Sequence, residues 1–229
     1  MATFVLVHGG GDVGWYWHLV EDELRQRGHD VVAPDLPCDD DTADLLDYAD
    51  AVVDAVGDRR DLIVVGQSYG GFTAPLVADR LGAVVLVLVA GMIPAPGEKP
   101  ADWWDNTGYG QAVEEQARRD GDVTASDDPF VAFYHDVPRG LAEQTLSKER
   151  SESATAYSSP WPLDGWPTVP TKFVLCTQDR FFPAAFMRRV VAERLGIVAD
   201  EIVAGHCVAL SRPHELADLL DSYVPAHVR

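Results

Sequence analysis

Gly66-Gln67-Ser68-Tyr69-Gly70 reads G-x-S-x-G, between an apolar β-forming run and a helical pattern. In that context the serine sits on a sharp strand-to-helix turn, a nucleophile elbow, that lifts its Oγ above the sheet. Neighbouring backbone crowds the positions two before and two after it, so Gly66 and Gly70 must be small. The following helix N-terminus favours negative charge beside the serine. A serine hydroxyl is a weak nucleophile until a base takes its proton. Of seven histidines, His206 is the candidate base. It lies in AGHCVALSRP, after a short strand read over 201–204 and before the last helix, on the sheet edge where open α/β sheets bind ligands. Asp179, in CTQDRFFP directly after a strand over 172–177, is the acid expected to orient the imidazole. The alternative acid position, after a strand over 83–90, holds Gly91 and Met92, with no carboxylate until Glu98. The resulting chain order is Ser…Asp…His.

A developing oxyanion needs N–H donors. His8-Gly9-Gly10-Gly11 follows the first strand, and the backbone N–H groups of Gly10 and Tyr69 are the expected pair. His8 is read as a structural residue bonding loop backbone. The glycines match neither GxxxxGK[ST] nor the dinucleotide fingerprint, which argues against a nucleotide site. His29, His214 and His227 are read as surface residues. His135, in FYHDVP, is read as a packing or substrate-side residue.

These groups need elements to hold them. Strands are expected over 3–7, 30–33, 62–65, 83–90, 172–177 and 201–204. Helices are expected over 15–27, 42–56 with Thr42 as cap, 69–81, 184–195 and 213–224 opened by Ser211. Pro75 should kink its helix or sit near its first turns. The runs 62–65 and 83–90 are apolar throughout rather than alternating, the mark of strands covered on both faces. Strand and helix alternate, so the expected class is α/β, doubly wound, with a mostly parallel sheet. The rhythm breaks over residues 93–170, rich in Pro and Gly and holding Trp103, Trp104, Trp161 and Trp166. Helical fragments are expected there at 110–119 and 140–150. The segment is too long for a connection and is read as a small, largely helical cap, with residues 1–92 and 171–229 forming the core.

Bulk properties narrow the partners. With 18 basic and 37 acidic residues the net charge is −19, a field that repels nucleic acid and highly anionic substrates. Cys38, Cys176 and Cys207 are too few and too scattered for a disulfide framework, and they fit a reducing cytosol. No CxxC pair suggests structural zinc. No stretch of eighteen apolar residues suggests a membrane span, and the N-terminus reads as a strand rather than a signal peptide.

HGGGDVGWYW, GQSYGG, CTQDRFFP and GHCVALSRPHELADLL together resemble the α/β-hydrolase superfamily over nearly the whole chain. Within it they look like the small, metal-free subgroup of plant methylesterases and hydroxynitrile lyases with bacterial esterase-like relatives. The resemblance implies a capped, mostly parallel sheet, the triad Ser68, Asp179 and His206, oxyanion donors at Gly10 and Tyr69, and no cofactor. Lyases of this kind carry a hydroxyl residue after the first-loop histidine and a lysine after the catalytic histidine. Gly9 and Cys207 stand at those positions here. The expected activity is therefore hydrolysis of a small ester or lactone by a serine esterase. The alternatives are a cofactor-free lyase and a slow-turnover ligand receptor. Trp104, Phe133, Phe182 and Trp161 are the expected pocket residues; Cys207 is read as filling space.

Overall fold

A computed structural model describes residues 1–228. Six strands form one sheet: β1 (Thr3–Val7), β2 (Asp30–Val32), β3 (Leu62–Gln67), β4 (Val85–Val89), β5 (Thr171–Cys176) and β6 (Asp200–Ile202). Their order is β2-β1-β3-β4-β5-β6 and every neighbouring pair is parallel. The register runs Thr3 opposite Leu62, Ile63 opposite Val85 and Leu86 opposite Thr171.

The apolar runs feed two cores at once. Val5, Val7, Leu62, Val64, Leu86, Leu88, Phe173 and Leu175 face one layer. Phe4, Leu6, Ile63, Val65, Val85, Val87, Val174 and Cys176 face the other. This is the period-two alternation of strand side chains with both faces buried. The first layer is closed by α2 (Leu45–Val56), α3 (Ala74–Leu81) and α9 (Ala184–Leu195). The second is closed by α1 (His18–Gln26), α10 (Val208–Ser211) and α11 (Pro213–Ser222). Between β4 and β5 lie α4 (Pro100–Thr107), α5 (Tyr109–Asp120), α6 (Pro129–Ala132), α7 (Arg139–Leu146) and α8 (Ala154–Ser158). Among the described residues no helix is long and apolar enough to cross a membrane.

Several boundaries differ from those expected. α2 is capped by Asp44, not Thr42: the Asp44 carboxylate accepts from Leu46 N at 2.7 Å and Asp47 N at 3.1 Å, and Asp47 returns a bond to Asp44 N at 2.9 Å. Thr42 bonds Asp40 instead. The 69–81 segment is a 3-10 turn (Ser68–Gly71) followed by α3, with Pro75 in the first helical turn where its missing N–H costs nothing. Ser211 closes α10 rather than opening α11, and its Oγ has no partner among the described residues. His29 is not a surface residue. Its side chain is 6% exposed, accepts from Ala2 N at 3.3 Å and pairs with Asp221 at 2.8 Å.

Candidate active site

The strand order reverses between β1 and β3, and Ser68, His206 and Asp179 gather above that point, at the carboxyl ends of the strands. Ser68 follows β3 with φ +50°, a left-handed conformation that a non-glycine residue adopts only when its surroundings impose it. A Cβ at Gly66 would lie 2.6 Å from Ala74 Cβ, and one at Gly70 would lie 2.6 Å from the His8 carbonyl oxygen. The elbow is therefore clamped between β1 and the start of α3. Met92 N donates to the Ser68 carbonyl at 2.8 Å and fixes it from the β4 side.

His206 lies on the loop between β6 and α10. Its Nε2 is 3.0 Å from Ser68 Oγ, and its Nδ1 is 2.7 Å from Asp179 Oδ2. With a proton on Nδ1 facing the Asp179 carboxylate, Nε2 is the ring nitrogen placed to accept from Ser68 Oγ. The second oxygen of Asp179 accepts from Phe181 N at 2.8 Å and Phe182 N at 2.9 Å, which sets the carboxylate plane. Asp179 and His206 are 8% and 3% exposed. The rings of Phe133, Phe181 and Phe182 stand edge-on to the imidazole, with centroids 5.2–5.5 Å away.

Two consecutive residues brace the loops that carry these groups. His135 Nε2 is 3.0 Å from the Gln178 carbonyl, and Asp136 Oδ2 accepts from Gly205 N at 2.8 Å. On the other side, His8 bonds the Gly9 carbonyl through Nδ1 at 2.9 Å and accepts from Leu36 N through Nε2 at 3.0 Å. Burial holds it neutral, with its pKa lowered to about 4. Gly11 adopts φ +76°; its N–H donates to Glu152 Oε1 at 2.9 Å and its carbonyl accepts from Arg150 N at 2.9 Å.

Ser68 and His206 open onto a cavity of about 270 Å³ that Gly10 and Tyr69 also line. That volume suits a small ligand. A larger open groove of about 610 Å³ runs along α5 and α9, but no member of the Ser68–His206–Asp179 set lines it. Among the described residues no group of three or more His, Cys, Asp or Glu is placed to hold a metal ion.

Residues 4–219 match the model of the alpha/beta hydrolase family. The chain belongs to that family. It is 33% identical over 241 residues to the carbendazim hydrolyzing esterase of Nocardioides sp. (strain SG-4G), covering 96% of this chain and 98% of that one. It is 24% identical over 250 residues to norfluorocurarine synthase 1 of a Strychnos species, covering 95% and 93%. Plant methylesterases and polyneuridine aldehyde esterase also match. In fold, a pyrethroid hydrolase from Sphingobium faniae JZ-2 superimposes with a TM-score of 0.78 at 21% identity, covering 98% of each chain.

In this alpha/beta hydrolase the structure brings together Ser68, His206 and Asp179, and it places Gly10 and Tyr69 beside Ser68 on one cavity. Of the four expected pocket aromatics, Trp104 and Phe133 line the cavity, while Phe182 and Trp161 do not. Trp161 is fully buried, donates to the Phe72 carbonyl at 3.0 Å and stacks on Trp166. Phe182 packs between Trp103 and the flank of His206. Its neighbour Phe181 reaches the cavity instead, as do Met92, Tyr134, Tyr157 and Cys207. Which of two adjacent phenylalanines faces inward depends on the turn that Asp179 caps, and composition carries no sign of it.

Sequence reasoning missed three carboxyls on the cavity: Asp12, Glu149 and Glu152. Asp12 directly follows the glycine loop, which is the one signal available. Glu149 and Glu152 lie in an irregular stretch with no motif. Burial pushes the Asp12 carboxyl up to about 8, with Glu149 and Glu152 adding to the shift. Burial also raises Glu149 and Glu152, the latter opposed by hydrogen bonds from Gly11 N–H, Cys38 and Tyr48. Asp136 was missed as well. It holds Gly205, the residue before His206, from the segment between β4 and β5.

Proposed function

We propose that this chain hydrolyses a small carboxylic ester or lactone through an acyl-enzyme, with Ser68 as nucleophile, His206 as general base and Asp179 as its orienting acid. The observation that carries this reading is the chain of two hydrogen bonds: Ser68 Oγ to His206 Nε2 at 3.0 Å and His206 Nδ1 to Asp179 Oδ2 at 2.7 Å. The esterase names of several relatives support it.

Ser68 Oγ attacks the ester carbonyl carbon while His206 Nε2 takes its proton. The carbonyl electrons move onto oxygen, and the N–H groups of Gly10 and Tyr69 receive the charge. His206 returns the proton to the leaving alkoxide, which departs as the alcohol. Water then attacks the acyl-enzyme with His206 as base, releasing the acid and restoring Ser68. Residues 93–170 act as a cap over a core of residues 1–92 and 171–229. Support comes from Trp104, Phe133, Tyr134, Glu149, Glu152 and Tyr157, which line the cavity from that segment.

The lyase alternative lacks its charge. Cys207 is 4% exposed and burial pushes its thiol well above the usual range, so it stays neutral and offers no cation for cyanide. The three free, buried cysteines also favour a reducing, cytoplasmic setting.

The test is hydrolysis of p-nitrophenyl esters, acetate to decanoate, by wild type and Ser68→Ala. A loss of kcat on the order of 10⁶ is expected. Wild-type turnover by Ser68→Ala overturns the assignment.

A further inference from the structure

We propose that the catalytic cavity selects esters carrying an organic cation, a protonated or quaternary amine, and that Asp12, Glu149 and Glu152 receive its charge. This inference rests on the esterase reading above and names the substrate class for the same site.

The residues lining the cavity include three carboxyls and neither lysine nor arginine. The two cations flanking Glu149 in sequence are committed elsewhere. Arg150, between Glu149 and Glu152, turns its guanidinium to Asp35 at 2.9 Å and Asp39 at 3.8 Å. Lys148 lies over the Trp15 ring, 4.9 Å from its centroid. The Asp12 carboxyl has no hydrogen-bond partner among the described residues, although its backbone N–H bonds the Gly9 carbonyl. The groups facing it are Glu149, Glu152, Tyr16, Tyr134 and Cys207, none of them a cation. Two other cavity residues are also unsatisfied. Gln67 and Tyr69 are 1% and 7% exposed, and Gln67 Oε1 and Tyr69 Oη lack a partner among the described residues. Buried polar groups are almost always paired, so these mark a cavity wall whose polar capacity the protein alone does not fill.

The aromatic members suit the same ligand. Trp104, Phe181 and Phe133 form a connected wall, with centroids 6.0 and 4.7 Å apart along it. Aromatic faces attract cations, most strongly where water is excluded. In the free protein burial favours the neutral Asp12 carboxyl; a cation seated beside it favours the carboxylate, whose proton leaves to solvent as the pair forms. The carboxyls are not arranged for a metal ion. A neutral or anionic ester leaves Asp12 unpaired.

The experiment compares the choline ester of butyric acid with 3,3-dimethylbutyl butyrate, its neutral carbon isostere. Binding of each to Ser68→Ala is measured by calorimetry, so that turnover does not intervene. The choline ester should bind at least about tenfold tighter, within the range of one desolvated cation–aromatic and carboxylate contact. Asp12→Asn and Glu149→Gln, each in the Ser68→Ala background, should narrow the gap; Glu152 is spared because it holds Gly11. Equal affinity, tighter binding of the neutral ester, or no binding of either overturns the inference. The preference in the parent Ser68→Ala protein needs no further variant, so a misfolded carboxyl variant does not rescue the idea. Hydrolysis of both esters by wild type is read separately. Ser68-dependent hydrolysis without a binding preference keeps the esterase and removes the cation site. A binding preference without hydrolysis of either ester does the reverse.

Discussion

Glu152 accepts the Gly11 N–H at 2.9 Å, tying the irregular segment after α7 to the glycine loop after β1. The same carboxylate receives the Tyr48 hydroxyl at 3.3 Å, so it is anchored from α2 as well. Glu152 thus positions the loop that carries Gly10, one of the two proposed oxyanion donors. Glu152→Ala removes the acceptor and should lower kcat about tenfold, the scale of one lost charge-assisted hydrogen bond, with a smaller change in KM. Glu152→Gln keeps an acceptor oxygen and should restore most of kcat. Steady-state kinetics of the two variants on one neutral ester checks this. Equal loss in both would mean that the charge, not the bond, matters.

Gly70→Ala should destabilise the fold. The added Cβ would sit 2.6 Å from the His8 carbonyl oxygen and 2.9 Å from that of Val7, both rigid backbone in and beside β1. Relief requires the elbow to move away from β1, at a cost of about 1–3 kcal/mol or more. Thermal unfolding should record a lower Tm, together with a larger fall in kcat than the loss of folded protein explains.

Buried Glu98 pairs with partly buried Arg194, with Arg194 Nη2 to Glu98 Oε1 at 2.8 Å. Burial by itself raises the Glu98 carboxyl, but Arg194, Asn106 and Ala95 N–H together hold it below its usual value. Its folded pKa lies below its unfolded one, so its contribution is complete above about pH 4.5 and is lost as pH falls through the folded value. Arg194→Met leaves the carboxylate without its cation and should cost about 3 kcal/mol near neutral pH. Denaturant melts at pH 7 and pH 4 should show the gap to wild type shrinking in acid.

Asp12 carries the opposite sign. Its folded pKa of about 8 lies above the ordinary 3.8, so the folded state holds a proton that the unfolded chain has released. The stability linked to that proton is complete below the unfolded pKa and is lost as pH rises through about 8. Asp12→Asn cannot ionise, and it should exceed wild type in Tm by at least about 4 °C at pH 9 while differing little at pH 4. Melting curves at both values decide it; a wild-type Tm that holds level with the variant at pH 9 would remove Asp12 as an enclosed acid.

Local grammar carries much of this protein. The continuous apolar runs of β3 and β4 announced strands with two covered faces, because a parallel sheet between helix layers needs both sets of alternating side chains to be apolar. The glycines around Ser68 announced the elbow, because nothing larger fits between β1 and α3. The order of Ser68, Asp179 and His206, each after a strand, was enough to bring them to one edge, since every strand of a parallel sheet ends on the same side. Helix caps were less legible. Asp44 and Thr42 are both good caps, and only the path of the chain into α2 chose between them.

Tertiary structure decided what surrounds the reacting atoms. Phe181 rather than Phe182 faces the cavity, and Trp161 packs against the core instead of the ligand space. Asp12, Glu149 and Glu152 come from two segments some 137 to 140 positions apart in the chain, and they share a surface only because the irregular stretch after α7 returns over the glycine loop. Asp136 reaches Gly205 by the same kind of return. Contacts of this sort are set by where a non-repeating segment comes to rest. That depends on the whole packed surface beneath it and leaves no periodicity in the sequence. The sequence by itself therefore determined the sheet, the elbow and the order of Ser68, Asp179 and His206; the fold alone determined the charge and shape of the pocket they adjoin.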